Sequence, residues 1–342
     1  MMLETRGAAK STLAWRDGVF QRPSIRLECG AALSPLILAY STLGTPQPDG
    51  SNAVLFLPSA SGTRDWIAAH TYPGGCADPE QHFIISVDAL GGGDSSRPSV
   101  GLGSNFPRYT IRDNARIIHG LLTEELGLPA IKAAGGASMG AMIALELALS
   151  FPAFARGIFL WLPAVRVGPL FPLFTDALEA ILGLPAAQVS AAPPGTAGAA
   201  LMAAGLAYFP LLVSRDFLDR HSPSERQRLA RSVGEAFASK WQAEDLLSRY
   251  RSLATHDVFR RGEAIDETVL GRLNARCLLM PSRSDQFFPI EQAARMRAQV
   301  PESLWQPIET DAGHWATSRE RGSSEHTFIT TATNFFLATL RE

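Results

Sequence analysis

The chain has 342 residues, of which 46% are hydrophobic and 19% charged, so it can bury a large core and is not a disordered chain. Its formal net charge of -2 provides no basic surface for a nucleic acid or an anionic lipid. The three cysteines (Cys29, Cys76 and Cys277) are an odd number without metal-ligand spacing, so no disulfide framework, metal or cofactor is expected. Because the N-terminal segment lacks the apolar run of a secretory signal, we expect a cytoplasmic protein.

Residues 1–164 alternate short apolar runs with helical patterns, which is typical of a parallel sheet covered by helices. The predicted strands span residues 24–28, 36–41, 53–57, 83–87, 131–135 and 157–161. An amphipathic helix is predicted from the apolar positions Ile111, Ala115, Ile118, Leu122 and Leu126. The helix that follows residue 138 is apolar on nearly every side, so it is expected to lie centrally.

Residues 165–257 lack a strand pattern and contain Pro-punctuated, Ala-rich helical segments instead. The stretch 194–213 has no charged residue and is long enough to cross a bilayer. Pro193, Pro194 and Pro210, together with the absence of flanking Lys or Arg clusters, argue against a membrane span. We therefore predict a helical lid at 165–257, inserted between two parts of one core, 1–164 and 258–342.

The alternation of strand and helix patterns resumes after the insertion. A strand is predicted in the run ARCLLMP (275–281), a helix at 290–300 and a second strand at 304–308. The chain then closes with a helix, whose buried face is predicted to consist of Phe328, Ala332, Phe335 and Leu340.

Residues 136–140 read Gly-Ala-Ser-Met-Gly, which fits the Gly-x-Ser-x-Gly pattern between a predicted strand and a predicted helix. Small neighbours permit the strained backbone that exposes a serine Oγ at such a turn. The following helix directs its free N–H groups at the same place. Ser138 is therefore the candidate nucleophile, and it needs a base and an acid because a serine hydroxyl is a weak nucleophile at neutral pH.

The candidate base is His314, which lies in a loop between the last predicted strand and the closing helix. His326 is the rival, although it falls inside the closing helix. The candidate acid is Asp285, in the polar turn after the strand at 275–281, and Asp311 is the minor alternative. The backbone N–H of Met139 and that of Ala60 or Ser59, in the loop after the strand at 53–57, are the candidate oxyanion donors.

Several segments, in this order, carry a family resemblance: NAVLFLPSASG, VDALGGGDSSRPS, YTIRDNAR, GGASMGAMIALELALSFP, THDVF, SRSDQFFP and AGHW. The chain resembles the homoserine O-acetyltransferase branch of the α/β-hydrolase superfamily over about residues 30–340. The resemblance implies a mostly parallel sheet flanked by helices, a helical lid over an acyl tunnel, and a homodimer formed through the lid. It also implies Ser138 as nucleophile, Asp285 as acid, His314 as base, and Ala60 with Met139 as oxyanion donors.

Two departures from this family bear on the substrate. Trp315 follows His314 where the acyltransferases have an acidic residue, and FTDALEAI (174–181) stands where their lid carries an arginine. Homoserine would have to bury unpaired charges, which costs several kcal/mol. A hydrolase acting on a small, partly apolar acyl ester is therefore expected.

The aromatic residues near the candidate site favour the same kind of substrate. Ser59, Trp315 and Phe287 are the expected substrate contacts, with Phe288 beside them. An acyl-CoA-dependent O-acyltransferase with another acceptor is the alternative, and a binding module that has lost catalysis is a third possibility. A basic residue in the lid wall above Ser138 would favour a charged acceptor or CoA, whereas an apolar wall would favour hydrolysis.

Overall fold

The computed structural model describes residues 14–182, 196–262, 264–300 and 302–340. The strands of the described residues, in chain order, are β1 (Arg16–Arg22), β2 (Ile25–Arg26), β3 (Ala32–Leu33), β4 (Leu36–Leu43), β5 (Ala53–Leu57), β6 (Phe83–Val87), β7 (Ile131–Ala137), β8 (Ala155–Trp161), β9 (Arg260–Arg261), β10 (Ala264–Ile265), β11 (Arg276–Met280) and β12 (Leu304–Trp305).

Eight of these strands form one sheet in the order β1-β4-β6-β5-β7-β8-β11-β12. The six strands from β6 to β12 in that order run parallel, whereas β1 and β4 are antiparallel to their neighbours. Every residue of β5 and β6 is buried because apolar layers cover both faces of the sheet. The carboxyl ends of the parallel strands share one edge, which is where open α/β sheets bind ligands.

The described helices are α1 (Ile111–Gly120), α2 (Met139–Ser150), α3 (Leu170–Leu182), α4 (Thr196–Leu212), α5 (Arg215–Arg220), α6 (Pro223–Lys240), α7 (Ala243–Ala254), α8 (Ile290–Gln299) and α9 (Ser324–Thr339). Helix α1 begins at a capping box, in which Thr110 and Asp113 satisfy each other's backbone N–H groups. Helix α2 is apolar apart from the buried Glu146 and the terminal Ser150, and it packs on β5, β7 and β8, as its sequence predicts.

Helices α3 to α7 all lie between β8 and β9 in the chain. In this helical segment α4 and α6 approach until their backbones touch, at Gly205 and Gly234, where a Cβ atom on either residue would collide with the other helix. Helix α4 continues through Pro210 to its end at Leu212. Among the described residues no helix has the length and apolar character that a bilayer span requires. Pro193 and Pro194 lie outside the described residues.

Three sequence-based assignments differ from the structure. The edge strand β1 was not predicted, because its sequence, RDGVFQR, is too polar to read as a strand; pairing with β4 holds it in place. The predicted strand at 24–28 is reduced to Ile25–Arg26, which pairs with β3 in a separate two-stranded sheet. The predicted strand at 304–308 narrows to Leu304–Trp305, with one further bridge from Ile308 to Ser282.

Two of the four residues predicted for the buried face of the closing helix, Phe328 and Phe335, were assigned wrongly, whereas Leu340 is buried and Ala332 is partly buried. Phe335 is 63% exposed and Phe328 is also exposed, whereas Ile329, Thr333 and Phe336 are buried. A shift of one residue rotates a helical face by about 100°. The buried face contains a threonine because Thr333 Oγ1 accepts a 3.2 Å hydrogen bond from the Trp161 indole, so hydrophobicity alone pointed to the wrong residues.

Candidate active site

Ser138 lies between the end of β7 and the start of α2. Its backbone angles, φ 56° and ψ -115°, are ones that residues other than glycine rarely adopt. Its N–H donates to the carbonyl of Trp161 at 2.9 Å. Gly136 and Gly140 flank it because a Cβ atom on either would collide with the carbonyl oxygen of Leu57 in β5. The two glycines therefore let the turn approach β5 and hold the serine in its strained conformation.

The structure brings Ser138, His314 and Asp285 together at the carboxyl edge of the sheet. His314 Nε2 lies 3.0 Å from Ser138 Oγ, and His314 Nδ1 lies 2.6 Å from Asp285 Oδ2. The three residues are only 3%, 7% and 5% exposed, respectively. The Asp285 carboxylate can only accept a hydrogen bond, so the tautomer of His314 that fits has its proton on Nδ1. Its Nε2 lone pair then points toward the Ser138 hydroxyl.

The Asp285 carboxylate is held from both sides. Its second oxygen, Oδ1, accepts the N–H groups of Phe287 at 2.9 Å and Phe288 at 3.1 Å. The rings of the same two residues pack edge-on against the His314 imidazole, with centroids 5.6 and 5.0 Å away. The turn after β11 therefore orients the acid and the base together.

The loop that carries His314 is fixed just before the histidine. Gly313 has φ +59°, and its N–H donates to Ser284 Oγ at 3.1 Å. A Cβ atom at Gly313 would collide with the backbone of Leu212, at the end of α4. The helical segment between β8 and β9 thus packs directly against the loop of the candidate base.

The two rival residues have other partners. Asp311 forms an ion pair with Arg220 at 2.6 Å, and its backbone carbonyl accepts the N–H of Ser214. His326 lies inside α9, where its ring stacks on His70 at 5.0 Å. Burial lowers the pKa of that neighbour, His70, to about 3. Neither rival is hydrogen-bonded to the serine or to the candidate base.

The expected oxyanion donors belong to two segments, the start of α2 and the loop after β5. Met139 is the first residue of α2, so its N–H has no acceptor within the helix. Ala60 is buried in the loop after β5 and lines the same cavity as Ser138. Their N–H groups remain the predicted donors.

Arg249 of α7 holds the loop after β5, a role that the sequence analysis missed. Its buried guanidinium donates from Nη1 to the carbonyl of Gly62 at 2.7 Å and from Nη2 to that of Ser59 at 3.2 Å. Burial lowers the pKa of this arginine, and the Trp241 ring lies 5.2 Å from it. The sequence did contain a clue, since Arg249 falls on the apolar face of α7 together with Leu246.

Replacing Arg249 with Met should lower kcat by roughly ten- to a hundredfold with a smaller change in KM. The loop after β5, which carries the predicted oxyanion donor Ala60, would lose two hydrogen-bond donors that fix its shape. We also expect a loss of roughly 1–3 kcal/mol of stability, because the partly buried carbonyl of Gly62 would lose its arginine partner and that of Ser59 would keep only the N–H of Gly62. Steady-state kinetics and urea unfolding measure both effects. A variant that loses stability but keeps the wild-type kcat would contradict the positioning role.

A cavity of about 380 Å³ opens above the serine. Its lining residues are Ser59, Ala60, Ser61, Ser138, Phe171, Tyr208, Leu212, Ser232, Val233, Ala236, Phe237, Lys240, Trp241, Leu253, His314, Trp315, Thr317 and Ser318. Of the three predicted substrate contacts, Ser59 and Trp315 are in this set. Phe287 is not, because its ring is buried against His314 and Phe174. Among the described residues, no group of three or more His, Cys, Asp and Glu side chains could hold a metal ion.

Comparisons with known proteins agree with this architecture. Residues 52–318 match the family model described as the alpha/beta hydrolase fold. A probable esterase of Corynebacterium glutamicum is 27% identical, over 87% of this chain and 90% of that protein. The homoserine O-acetyltransferase of Thermobifida fusca is also 27% identical, over 92% of this chain and 95% of that protein.

Among solved structures, the acetyl esterase MekB superposes with a TM-score of 0.84 at 26% identity, covering 95% of this chain and 96% of its own. Esterases and homoserine acetyltransferases thus both occur among the relatives, as the resemblance of the sequence motifs predicted. The predicted α/β fold class is confirmed, with its mostly parallel sheet flanked by helices. The family match spans most of the chain, which therefore belongs to the alpha/beta hydrolase fold family and is an enzyme of esterase or acyltransferase type.

Proposed function

We propose that the protein is a carboxylic ester hydrolase that acts on a small, partly apolar acyl ester through an acyl-enzyme on Ser138. The observation that carries this proposal is the continuous hydrogen-bonded chain from Ser138 Oγ through His314 to Asp285, at the base of a cavity large enough for a small ester. The similarity to a probable esterase and to the acetyl esterase MekB supports the same choice.

In the first half-reaction Ser138 Oγ attacks the ester carbonyl carbon while His314 Nε2 takes the hydroxyl proton. The carbonyl oxygen becomes an oxyanion, which the N–H groups of Met139 and Ala60 stabilise. Collapse of this intermediate breaks the bond between the carbonyl carbon and the alcohol oxygen, and His314 gives its proton to the departing alcohol.

In the second half-reaction His314 takes a proton from water, and the resulting nucleophile attacks the acyl-enzyme. Breakage of the bond to Ser138 Oγ releases the carboxylic acid, and the proton on His314 returns to the serine. The ionised Asp285 stabilises the imidazolium that forms in each half-reaction.

We further propose that residues 165–257 act as the lid, between core parts 1–164 and 258–342. Helices α3, α4, α6 and α7 each contribute side chains to the cavity, which supports this division. Homodimer formation through the lid and a cytoplasmic location stay predictions.

The alternative is an O-acyltransferase that passes the acyl group from an acyl-CoA to an alcohol other than homoserine. It also forms an acyl-enzyme on Ser138, but the bond that breaks is the thioester C–S bond and CoA leaves as the thiol; the similarity to homoserine O-acetyltransferases supports this alternative. The two functions therefore differ in the acyl donor and in whether water or an alcohol attacks the acyl-enzyme.

Product analysis separates them. We expect p-nitrophenyl acetate to give acetate and p-nitrophenol in equal amounts, and acetyl-CoA mixed with a panel of alcohols to give no acetylated alcohol beyond the uncatalysed background. Formation of an acetylated alcohol faster than free acetate, from either donor, would replace hydrolysis with acyl transfer.

A further inference from the structure

One face of α6 forms part of the cavity wall. Ser232, Ala236 and Lys240 line the cavity at intervals of four residues. Residues four apart lie on the same side of a helix, so this face presents a stripe that ends in a lysine at the last residue of α6. The proposed lid therefore places a basic residue in the cavity wall, the feature that the sequence analysis associated with a charged acceptor or CoA.

Lys240 is an exposed residue of α6 that forms part of the cavity wall. Apart from Lys240, the described residues of the cavity lining have hydroxyl, aromatic, aliphatic and imidazole side chains, and none of them is Asp or Glu. Among the described parts of the chain, no carboxylate lies within ion-pair distance of this ammonium group. A lysine in the wall of a cavity whose described lining has no carboxylate favours an anionic substrate over a cationic one.

We propose that Lys240 forms an anion subsite, which gives the enzyme a preference for esters that carry a carboxylate away from the scissile bond. This inference rests on the proposed ester hydrolysis and names its substrate class as monoesters of dicarboxylic acids. An amino-acid substrate is disfavoured because the described residues of the lining offer a cation for its carboxylate but no carboxylate for its ammonium.

The kinetic test compares mono-4-nitrophenyl glutarate with p-nitrophenyl acetate. We expect wild type to have a higher kcat/KM for the glutarate ester, and the ratio of the two values to fall about fivefold in Lys240→Met, as for loss of one solvent-exposed ion pair. Lys240→Arg should keep most of the preference, and added salt should weaken it in wild type. Arg231→Met is the matched control, because Arg231 is an exposed cation of α6 that does not line the cavity.

A binding measurement separates this inference from the proposed function. In Ser138→Ala protein, calorimetry should give a dissociation constant for monomethyl glutarate that rises about fivefold when Lys240→Met is added. Lys240-dependent binding without turnover of either ester would keep the subsite and reject ester hydrolysis. Turnover of both esters with a ratio that Lys240→Met leaves unchanged, or that Arg231→Met lowers as much, would reject the subsite and keep the hydrolase.

Discussion

Replacing Ser138 with Ala should lower kcat for p-nitrophenyl acetate by about 10⁴-fold or more, because the variant keeps the oxyanion donors but has no atom to form the acyl-enzyme. The folded state should change little in stability, since the variant loses one hydrogen bond, to His314, worth about 1 kcal/mol. The rate of p-nitrophenol release and a thermal melt measure the two quantities.

Ser239→Ala serves as the control for this variant. Ser239 is an exposed serine of α6 whose hydroxyl bonds only to the backbone of its own helix, so its loss should leave the rate unchanged. More than a tenth of the wild-type rate in Ser138→Ala, with the protein folded, would mean that another group is the nucleophile.

Replacing Asp285 with Asn should lower kcat by roughly 10³- to 10⁴-fold. The amide can keep one oxygen for the N–H groups of Phe287 and Phe288, and its NH₂ group then faces His314 Nδ1. An imidazole that accepts at Nδ1 carries its proton at Nε2, where it can no longer take the proton of Ser138. Stopped-flow or steady-state kinetics at neutral pH measure the loss in kcat.

Asp311→Asn is the matched control for the acid. It removes a partly exposed ion pair with Arg220, which contributes at most about 1 kcal/mol, so kcat should stay within about threefold of wild type. The opposite result, a large loss in Asp311→Asn and a small one in Asp285→Asn, would move the role of acid to Asp311.

The sequence was sufficient to predict the fold class and to select the three residues that the structure brings together. Ser138 was recognisable because the constraint on it is local, with glycines two residues to either side and a strand and a helix around the turn. His314 and Asp285 followed from chain order relative to the predicted strands and from the loops in which they lie. Each inference used the motif or loop around one residue and the order of the predicted elements, neither of which requires knowledge of contacts between distant segments.

The missed features depend on contacts between distant segments. Strand β1 is polar, and its pairing with β4 rather than its own composition makes it a strand. The face of α9 was misassigned because the indole of Trp161 gives Thr333 a reason to be buried. A charged side chain on an amphipathic helix usually reads as a surface residue, so the buried role of Arg249 was overlooked.

The lysine in the cavity illustrates the same limit. Lys240 is the last residue of a helix that is rich in charged residues. Whether such a residue lies at the outer surface or beside a cavity depends on how α6 packs against the rest of the protein. Its position depends on the close contact of α4 and α6 at Gly205 and Gly234, far from the motifs that identify the nucleophile.

The most direct test of the account is to treat the protein with a fluorophosphonate and to map the modified residue by mass spectrometry. We predict a single phosphonylated side chain, Ser138, formed with loss of ester hydrolysis and much more slowly in His314→Ala, because the imidazole activates the hydroxyl. Labelling of any other residue with loss of activity, or full inhibition with Ser138 unmodified, would contradict the assignment of the nucleophile.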